Sequence, residues 1–180
     1  LCPKFAKVVH TPLPSARRRA AMQLFLVRHA IAADSTPERP DATRPLTAAG
    51  RDKFSRAVRG AKALGWRFDR LYHSPLTRAV QTAELLAPLL EGPMTALPDL
   101  ARAPDEEMLA HIEGTKVALV GHEPHLGTLL AWLVTGDPGR GERFCFKKGG
   151  VALLVGEPRP GAMTLEGLLT PKVLRLLGAK

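Results

Sequence analysis

The stretch that decides the fold is Gln23-Leu24-Phe25-Leu26-Val27-Arg28-His29-Ala30, an apolar run that ends in an arginine followed by a histidine. A run of this length, rich in Leu, Val and Phe, predicts a strand that is buried on both faces. Because open α/β sheets bind ligands at the carboxyl ends of their strands, Arg28 and His29 are expected where such a fold places a site. An unpaired arginine is costly to bury, so the pair indicates a bound anion. Taken alone, the Arg28-His29 dipeptide has an alternative interpretation as a strand end that is exposed to solvent.

The composition limits the classes of protein that this chain can belong to. Its 180 residues are 45% hydrophobic, which is enough for one domain with a real core, and aromatic residues make up only 5%. No stretch approaches the roughly 18 uninterrupted apolar residues of a membrane span, so no membrane partner is expected. The two cysteines, Cys2 and Cys145, lie far apart and form no disulfide framework. They predict a protein of a reducing compartment, the cytoplasm.

The formal net charge of +9 is unevenly distributed along the chain. Residues 1–21 contain five basic residues and no acidic one, which is more than half of the excess. With no basic stripe interleaved with aromatic residues, a nucleic-acid partner is not expected. Residues 1–21 are predicted to be a disordered extension, or the product of an upstream start codon whose natural counterpart is Met22. A transit peptide is the alternative. Residues 22–180 are predicted to form a single domain.

Apolar residues recur at strand or helix spacing through the rest of the chain. Thr47 is a good N-cap for the first helix, Gly65 ends that helix, and Pro75 fits the first turn of the next one. Alternating strands and helices predict a three-layer α/β/α sandwich with a mostly parallel central sheet. Strands are predicted over 70–74, 116–120, 151–155 and 163–169, the last two as a hairpin, and further helices over 76–86, 105–113, 125–134 and 174–177.

Polar residues follow three of the predicted strands. One strand ends in His29, the next in Ser74 and Pro75 leading to Arg78, and a third in His122. If the strands are neighbours, two histidines and two or three arginines meet in one pocket, with no carboxylate among them. The paired N–H donors of an arginine guanidinium fit the oxygens of a phosphate. The positive charge of the arginines keeps a neighbouring imidazole neutral. A neutral histidine can attack phosphorus, and a second can donate hydrogen bonds to the transferring phosphoryl group.

Four motifs along the chain resemble those of a known family, in the family's order and approximate spacing. The chain is similar to the histidine phosphatase superfamily, also called phosphoglycerate mutase-like, and within it to the SixA-type phosphohistidine phosphatases. The resemblance implies a phosphoglycerate mutase-like fold and a phosphatase that acts through a phosphohistidine intermediate. The motifs are Leu26-Val27-Arg28-His29-Ala30, Arg44-Pro45-Leu46-Thr47, Ser74-Pro75-Leu76-Thr77-Arg78-Ala79-Val80-Gln81-Thr82-Ala83 and Val120-Gly121-His122-Glu123-Pro124.

The resemblance also implies a role for each matched residue. His29 is expected to be the nucleophile, Arg28 and Arg78 to clamp the phosphoryl group, and His122 to stabilise it during transfer. Arg44 is expected to reach the same phosphate-binding pocket. Ala30 replaces the glycine that is commoner after the nucleophile in this family, and we expect it to be tolerated, since it needs only an ordinary backbone conformation.

The expected substrate follows from the apparent lack of a general acid. Larger relatives carry an acidic proton donor, but Asp99, Asp105, Glu106 and Glu107 of the matching region lie in no motif and are expected to solvate a loop or a helix start. A site without a strong acid suits a P–N bond better than a phosphoester. His122 follows Arg78 by only 44 positions, which leaves little room for a lid and suits a phosphorylated protein of the histidine phosphotransfer type. The alternatives are a phosphomonoesterase or mutase that acts on a small metabolite, or a catalytically silent phosphate-binding module.

Three further features have simpler interpretations. His122 and His125 have a spacing that can bind zinc on a helix, but no third ligand accompanies them, so no metal and no cofactor are expected. Cys145 lies in an apolar run and is expected to be buried. Lys147 and Lys148 are expected in a solvated turn, with the border of an anionic substrate as the alternative. Nothing in the sequence predicts an oligomeric state.

Overall fold

The computed structural model describes residues 21–178, which contain six strands and five α-helices joined by turns and short 3-10 helices. The predicted disordered extension falls outside this range except for Ala21, so that prediction is untested. The strands are β1 (Met22–Arg28), β2 (Arg70–His73), β3 (Met94–Ala96), β4 (Lys116–Gly121), β5 (Val151–Gly156) and β6 (Met163–Leu169). The helices are α1 (Ala48–Ala63), α2 (Thr77–Leu86), α3 (Glu106–Ala110), α4 (His125–Thr135) and α5 (Pro171–Leu177).

All six strands of the described residues belong to one sheet with the order β3-β2-β4-β1-β5-β6. Strands β1 to β4 are parallel to one another, β5 runs antiparallel to β1, and β6 runs antiparallel to β5. The predicted mostly parallel sheet with a closing hairpin is therefore confirmed. Because β2, β4 and β1 are neighbours, their carboxyl ends meet at one edge of the sheet.

Both faces of the sheet are covered, as a three-layer sandwich requires. In β1, Leu24 and Leu26 face the apolar cluster formed with α3 and α4, whereas Phe25 and Val27 face the cluster formed with α1, α2 and α5. Successive strand side chains point to opposite faces, so a strand buried on both sides must be apolar at every position. The continuous apolar run in the sequence follows from this position at the centre of the sheet.

The helix boundaries follow the capping residues. The Thr47 side chain accepts a hydrogen bond from Gly50 N–H at the start of α1, and Gly65 follows that helix with a φ of +75°. The next helix, α2, begins at Thr77 and not at Pro75, because Leu76 has an extended backbone with ψ 134°. The loop that leads from β2 into α2 is thus longer than predicted.

The expectation that Cys145 is buried is wrong. This side chain is exposed, in a segment without regular structure just before Lys147 and Lys148. Its flanking residue Phe146 is buried and Phe144 packs partly buried against the same core cluster, so Cys145 is the residue of this run that faces outward.

Candidate functional site

The site is assembled at the carboxyl ends of three neighbouring strands. His29 follows β1, Ser74 follows β2 and His122 follows β4, and the backbone ladder continues past the strand ends. His29 N–H donates to Gly121 O at 3.1 Å, and Ser74 N–H donates to Val120 O at 2.9 Å. The rings of His29 and His122 lie with their centroids 5.1 Å apart and their planes inclined by 50°. The structure therefore brings the two predicted histidines into direct proximity.

The hydrogen bonds of His29 define the protonation of its ring. Its Nδ1 lies 2.7 Å from Ala30 O, an acceptor only, so Nδ1 carries the proton. Arg78 Nε donates to His29 Nε2 at 3.3 Å, which leaves Nε2 as the nitrogen with the lone pair. The Ala30 peptide is held in turn by Thr82, whose hydroxyl accepts from Ala30 N–H at 3.0 Å and donates to Arg78 O at 2.6 Å. The backbone thus orients the ring with Nε2 toward the arginine.

The surroundings of His29 keep its ring neutral. Burial lowers the pKa of His29 to about 4; the hydrogen bond to Ala30 raises it, whereas the charges of Arg78, Arg28 and Lys148 lower it. Lys148 is exposed in its turn, as expected, and its charge acts on the His29 ring; that the lysine pair borders an anionic substrate stays a prediction. An unprotonated imidazole at neutral pH is the form in which a histidine can act as a nucleophile.

The second histidine is neutral for related reasons. Burial lowers the pKa of His122 to about 3, helped by the charges of Arg78, His29 and His125 and opposed by that of Asp41. Its Nε2 lies 2.8 Å from the hydroxyl of Ser74, and its Nδ1 is buried with no hydrogen-bond partner among the described residues. His122 therefore keeps one polar atom available for a ligand.

Arg78 joins the nucleophile to a carboxylate that the sequence did not indicate. Besides its contact with His29, it donates from Nη1 to Asp41 O at 2.7 Å and from Nη2 to Asp41 Oδ2 at 3.0 Å. The inference that the pocket has no carboxylate is therefore wrong. Burial raises the pKa of Asp41, but the hydrogen bonds and charges of Arg44 and Arg78 outweigh it and keep that pKa below its ordinary value of 3.8. Asp41 is thus ionised at neutral pH.

Arg44 reaches the site through the same carboxylate. Its Nε and Nη2 donate to Asp41 Oδ1 at 2.9 and 2.6 Å, and its Nη1 donates to Ala33 O at 2.8 Å. The structure gives it no direct contact with His29. Asp41 therefore bridges Arg44 and Arg78, and the predicted contact of Arg44 with phosphate stays a prediction. The only sign of this carboxylate in the sequence is the spacing of Asp41 and Arg44, three residues apart. Exposed acid–arginine pairs at this spacing are common, so the spacing alone does not indicate a site residue.

Arg28 is oriented by the segment before β5. Its Nη1 donates to Phe146 O at 2.5 Å, whereas its Nε is buried without a partner among the described residues. The Phe146 peptide is itself fixed, since its N–H donates to Glu123 Oε1 at 2.7 Å. Glu123 follows His122 directly and also accepts from Gly127 N–H at 3.2 Å. One carboxylate therefore links the turn that carries His122 to the segment that holds Arg28.

Two of the four acids considered as proton donors, Asp99 and Asp105, have other partners. The Asp99 carboxylate pairs with Arg102 and His111, and Asp105 pairs with Arg102 and caps α3 by accepting from Met108 N–H. His125 is the first residue of α4, in agreement with the helix predicted over 125–134. Within residues 21–178, no three His, Cys, Asp or Glu side chains come together as a group that could hold a metal ion. No helix among the described residues is both long enough and apolar enough to cross a membrane.

Comparison with known proteins agrees with this geometry. The family model of the histidine phosphatase superfamily (branch 1) matches residues 24–102. An uncharacterized protein of a Picosynechococcus strain is 36% identical over 153 residues, which are 81% of this chain and 89% of that protein. The chain belongs to the histidine phosphatase superfamily, and this membership supports phosphatase activity.

Individual proteins are similar to this chain over different lengths. The structure of the protein histidine phosphatase SixA complexed with tungstate superposes with a TM-score of 0.70 at 27% identity, covering 85% of this chain and 99% of SixA. The mitochondrial serine/threonine-protein phosphatase PGAM5 of Rattus norvegicus is 31% identical over 87 residues, 48% of this chain and 29% of PGAM5. The α-ribazole phosphatase structure from Shigella flexneri has a TM-score of 0.63 at 19% identity, covering 83% of this chain and 97% of its own, and thus shares the fold.

Proposed function

We propose that this protein is a metal-independent phosphatase that forms a phosphoenzyme on His29 and dephosphorylates phosphohistidine on a partner protein. The observation that carries the proposal is the neutral His29 ring with its lone pair on Nε2, next to Arg78 and 5.1 Å from the ring of His122. Two buried nitrogens, Arg28 Nε and His122 Nδ1, have no hydrogen-bond partner among the described residues and belong to the same constellation. A buried polar nitrogen is costly to leave unpaired, and phosphoryl oxygens can accept from Arg28 Nε and from His122 Nδ1 where that nitrogen carries the proton.

The first step transfers the phosphoryl group to the enzyme. The lone pair of His29 Nε2 forms a bond to phosphorus, while the P–N bond of the substrate breaks and its electron pair goes to the leaving nitrogen. The substrate ring leaves as neutral imidazole when its other nitrogen is protonated. The phosphorylated His29 keeps its Nδ1 proton and becomes cationic, and Ala30 O accepts that proton's hydrogen bond. Arg28, Arg78 and His122 donate to the phosphoryl oxygens.

The second step returns the enzyme to its starting state. A water molecule attacks phosphorus, an O–P bond forms, and the Nε2–P bond breaks with its electron pair returning to Nε2. The proton lost by the water goes to the departing phosphate or to solvent. In this step His29 is the leaving group, and its Nδ1 proton makes it a neutral imidazole on departure.

The state of Asp41 favours a P–N bond as the bond that is broken. A phosphoester needs a neutral acid to protonate its departing alkoxide, and Asp41 is held ionised by Arg44 and Arg78. Asp99 and Asp105 are ion-paired elsewhere. SixA is a protein histidine phosphatase and PGAM5 is a serine/threonine-protein phosphatase, and these similarities support a protein substrate. The exposed Lys148 and Asp41 carry charge where such a partner would dock.

The two separated cysteines support the proposed cytoplasmic location.

The phosphoenzyme is tested by isotope incorporation. We expect ³²P from a labelled phosphohistidine protein to appear on the wild-type chain in an acid-labile, base-stable form, and no incorporation in His29→Asn. Circular dichroism of the variant controls for folding. Equal labelling of His29→Asn would contradict the assignment of the nucleophile, and no labelling or turnover in the wild type would favour the silent binding module.

Substrate preference is tested by parallel turnover. We expect kcat/KM for a phosphorylated histidine phosphotransfer domain to exceed that for p-nitrophenyl phosphate and sugar phosphates by about 10²-fold or more, a difference of roughly 3 kcal/mol. A preference for the sugar phosphates would establish the small-metabolite alternative. Activity is expected to survive EDTA; its loss in EDTA and recovery with Zn²⁺ would exclude metal independence.

A further inference from the structure

The hydroxyl of Ser74, directly after β2, has two polar neighbours within the described part of the chain. The residue is fully buried. Leu76 N–H donates to Ser74 Oγ at 3.3 Å, and His122 Nε2 lies 2.8 Å from the same oxygen. The first neighbour is a donor, so it cannot accept the hydroxyl proton. His122 Nε2 is therefore the neighbour within residues 21–178 that can accept it.

The polar atoms can be paired in two ways, and one leaves fewer buried groups unsatisfied. If Ser74 Oγ–H donates to His122 Nε2, the proton of the neutral ring is on Nδ1, and Nδ1–H is the one group of this pair without a partner. If instead Nε2–H donates to Ser74, the hydroxyl proton and the Nδ1 lone pair are both left buried and unpaired. Each such group costs about 1–3 kcal/mol, so the first arrangement is favoured.

We propose that Ser74 is a positioning residue that fixes His122 in the tautomer protonated on Nδ1, so that this nitrogen donates to the phosphoryl group during transfer. The inference rests on the proposed function of the site. It gives the two neutral histidines opposite tasks with the same tautomer. His29 presents its Nε2 lone pair to phosphorus, and His122 presents its Nδ1–H to the phosphoryl oxygens. In the other tautomer, a lone pair of His122 would face those oxygens and repel them.

The tautomer is measured directly by long-range ¹H–¹⁵N NMR of the uniformly labelled wild-type protein, with the His122 signals assigned by their loss in His122→Gln. We expect Nδ1 to show the shift of a protonated nitrogen and Nε2 that of an unprotonated one. The reverse pattern would overturn the proposal without any variant of Ser74 or assay of activity. In Ser74→Ala we expect the signals to move toward the Nε2-protonated form.

Kinetics separate this role from a merely structural one. We expect Ser74→Ala to lower kcat for phosphoenzyme formation about tenfold or more, with KM changed less than threefold and the ³²P label still on His29. Ser74→Thr, which keeps the hydroxyl, should retain the wild-type tautomer and recover most of kcat, and Ser55→Ala on α1 is the matched serine control. An unchanged kcat in Ser74→Ala would overturn the proposal. A wild-type protein that forms no phosphoenzyme, yet shows the expected tautomer, would instead refute the proposed function alone.

Discussion

His29 and His122 are neutral for one physical reason, burial beside arginines, and this makes their titration the most direct property to measure. The pKa values are lowered by burial to about 4 for His29 and about 3 for His122, with Arg78 lowering both further. We expect both rings to stay unprotonated down to about pH 5, well below the ordinary histidine pKa of 6.5. NMR titration of the ring protons measures this. A midpoint near 6.5 for His29 would mean that the nucleophile is partly blocked by a proton at neutral pH.

The two arginines bound to Asp41 are expected to contribute unequally to activity. Arg78 contacts the nucleophile itself, so Arg78→Ala should lower kcat/KM by about 10²–10³-fold. Arg44 acts through Asp41, so Arg44→Ala should cost about tenfold or less, roughly 1.4 kcal/mol. Steady-state kinetics measure both losses.

A double-mutant cycle distinguishes an indirect role of Arg44 from direct phosphate binding. If Arg44 only holds Asp41, Arg44→Ala has little further effect in an Asp41→Ala background. Arg56→Ala, which breaks the exposed pair with Asp52 on α1, is the matched control and should leave kcat/KM unchanged. A full loss from Arg44→Ala in the Asp41→Ala background would show that Arg44 binds the phosphoryl group itself.

The contrast between His29 and Asp41 shows which site residues a sequence can reveal. His29 ends a buried strand, and a polar residue there is unusual enough to be noticed. Asp41 lies in a short surface 3-10 helix, where aspartates are common, and its side chain is 59% exposed. Its contact with Arg78 depends on how the loop after β1 folds back over α2. No local spacing encodes that path, so the carboxylate was missed.

At the scale of the elements, Glu123 links the turn before α4 to the segment before β5. Its two oxygens accept from Phe146 N–H and Gly127 N–H, and Phe146 O in turn orients Arg28. We expect Glu123→Ala to leave both amides without this charged acceptor and to lower the free energy of unfolding by about 1–3 kcal/mol. It should also lower kcat/KM, because Arg28 loses its fixed partner. Urea denaturation and steady-state kinetics measure the two effects.

Two further variants test that link. Glu123→Gln keeps an oxygen that can accept from Phe146 N–H, so it should recover part of both losses. Glu142→Ala removes an exposed glutamate from the neighbouring 3-10 segment and should change neither quantity. If Glu123→Ala destabilises the protein no more than Glu142→Ala does, the carboxylate is not what joins the two segments.

The elements themselves were predictable where burial alone decides them. Strands β1 and β4 are buried on both faces and therefore appear as apolar runs, and the N-caps Thr47 and Asp105 mark true helix starts. The start of α2 was placed too early at Pro75, because a proline is compatible with a first helical turn but does not require one. Cys145 was misjudged because an apolar run without a regular element has no periodicity that distinguishes inward from outward residues.

At the scale of the whole molecule, the site lies at the carboxyl edge of the central sheet, and its two histidines are buried there. His29 and His122 are each only 5% exposed, since the strands that carry them lie at the centre of the sheet. The same burial that makes the rings useful at neutral pH opposes their protonation in the folded state. The unfolded chain has no such restriction, so the site must couple stability to pH.

That coupling has a defined sign and window. The folded pKa of His29, about 4, lies below the ordinary value of 6.5, so the unfolded state binds a proton first as the pH falls. Stability is therefore complete above about pH 6.5 and decreases toward pH 4, by about 3 kcal/mol from His29 alone. The pKa values of Asp41, Asp69 and Asp105 are lowered from the ordinary 3.8, so their contribution to stability is lost mainly below about pH 4, at the acid end of this window.

We therefore expect urea midpoints measured between pH 7 and pH 4.5 to fall steeply for the wild type and much less for the double variant His29→Asn/His122→Asn. Asparagine keeps a polar side chain but does not titrate, so the variant removes the proton uptake and not merely the packing. The two single variants should each remove part of the slope. The same slope in wild type and double variant would show that the buried histidines are not the groups that bind protons on unfolding, and that the site is open enough for both rings to titrate as they do in water.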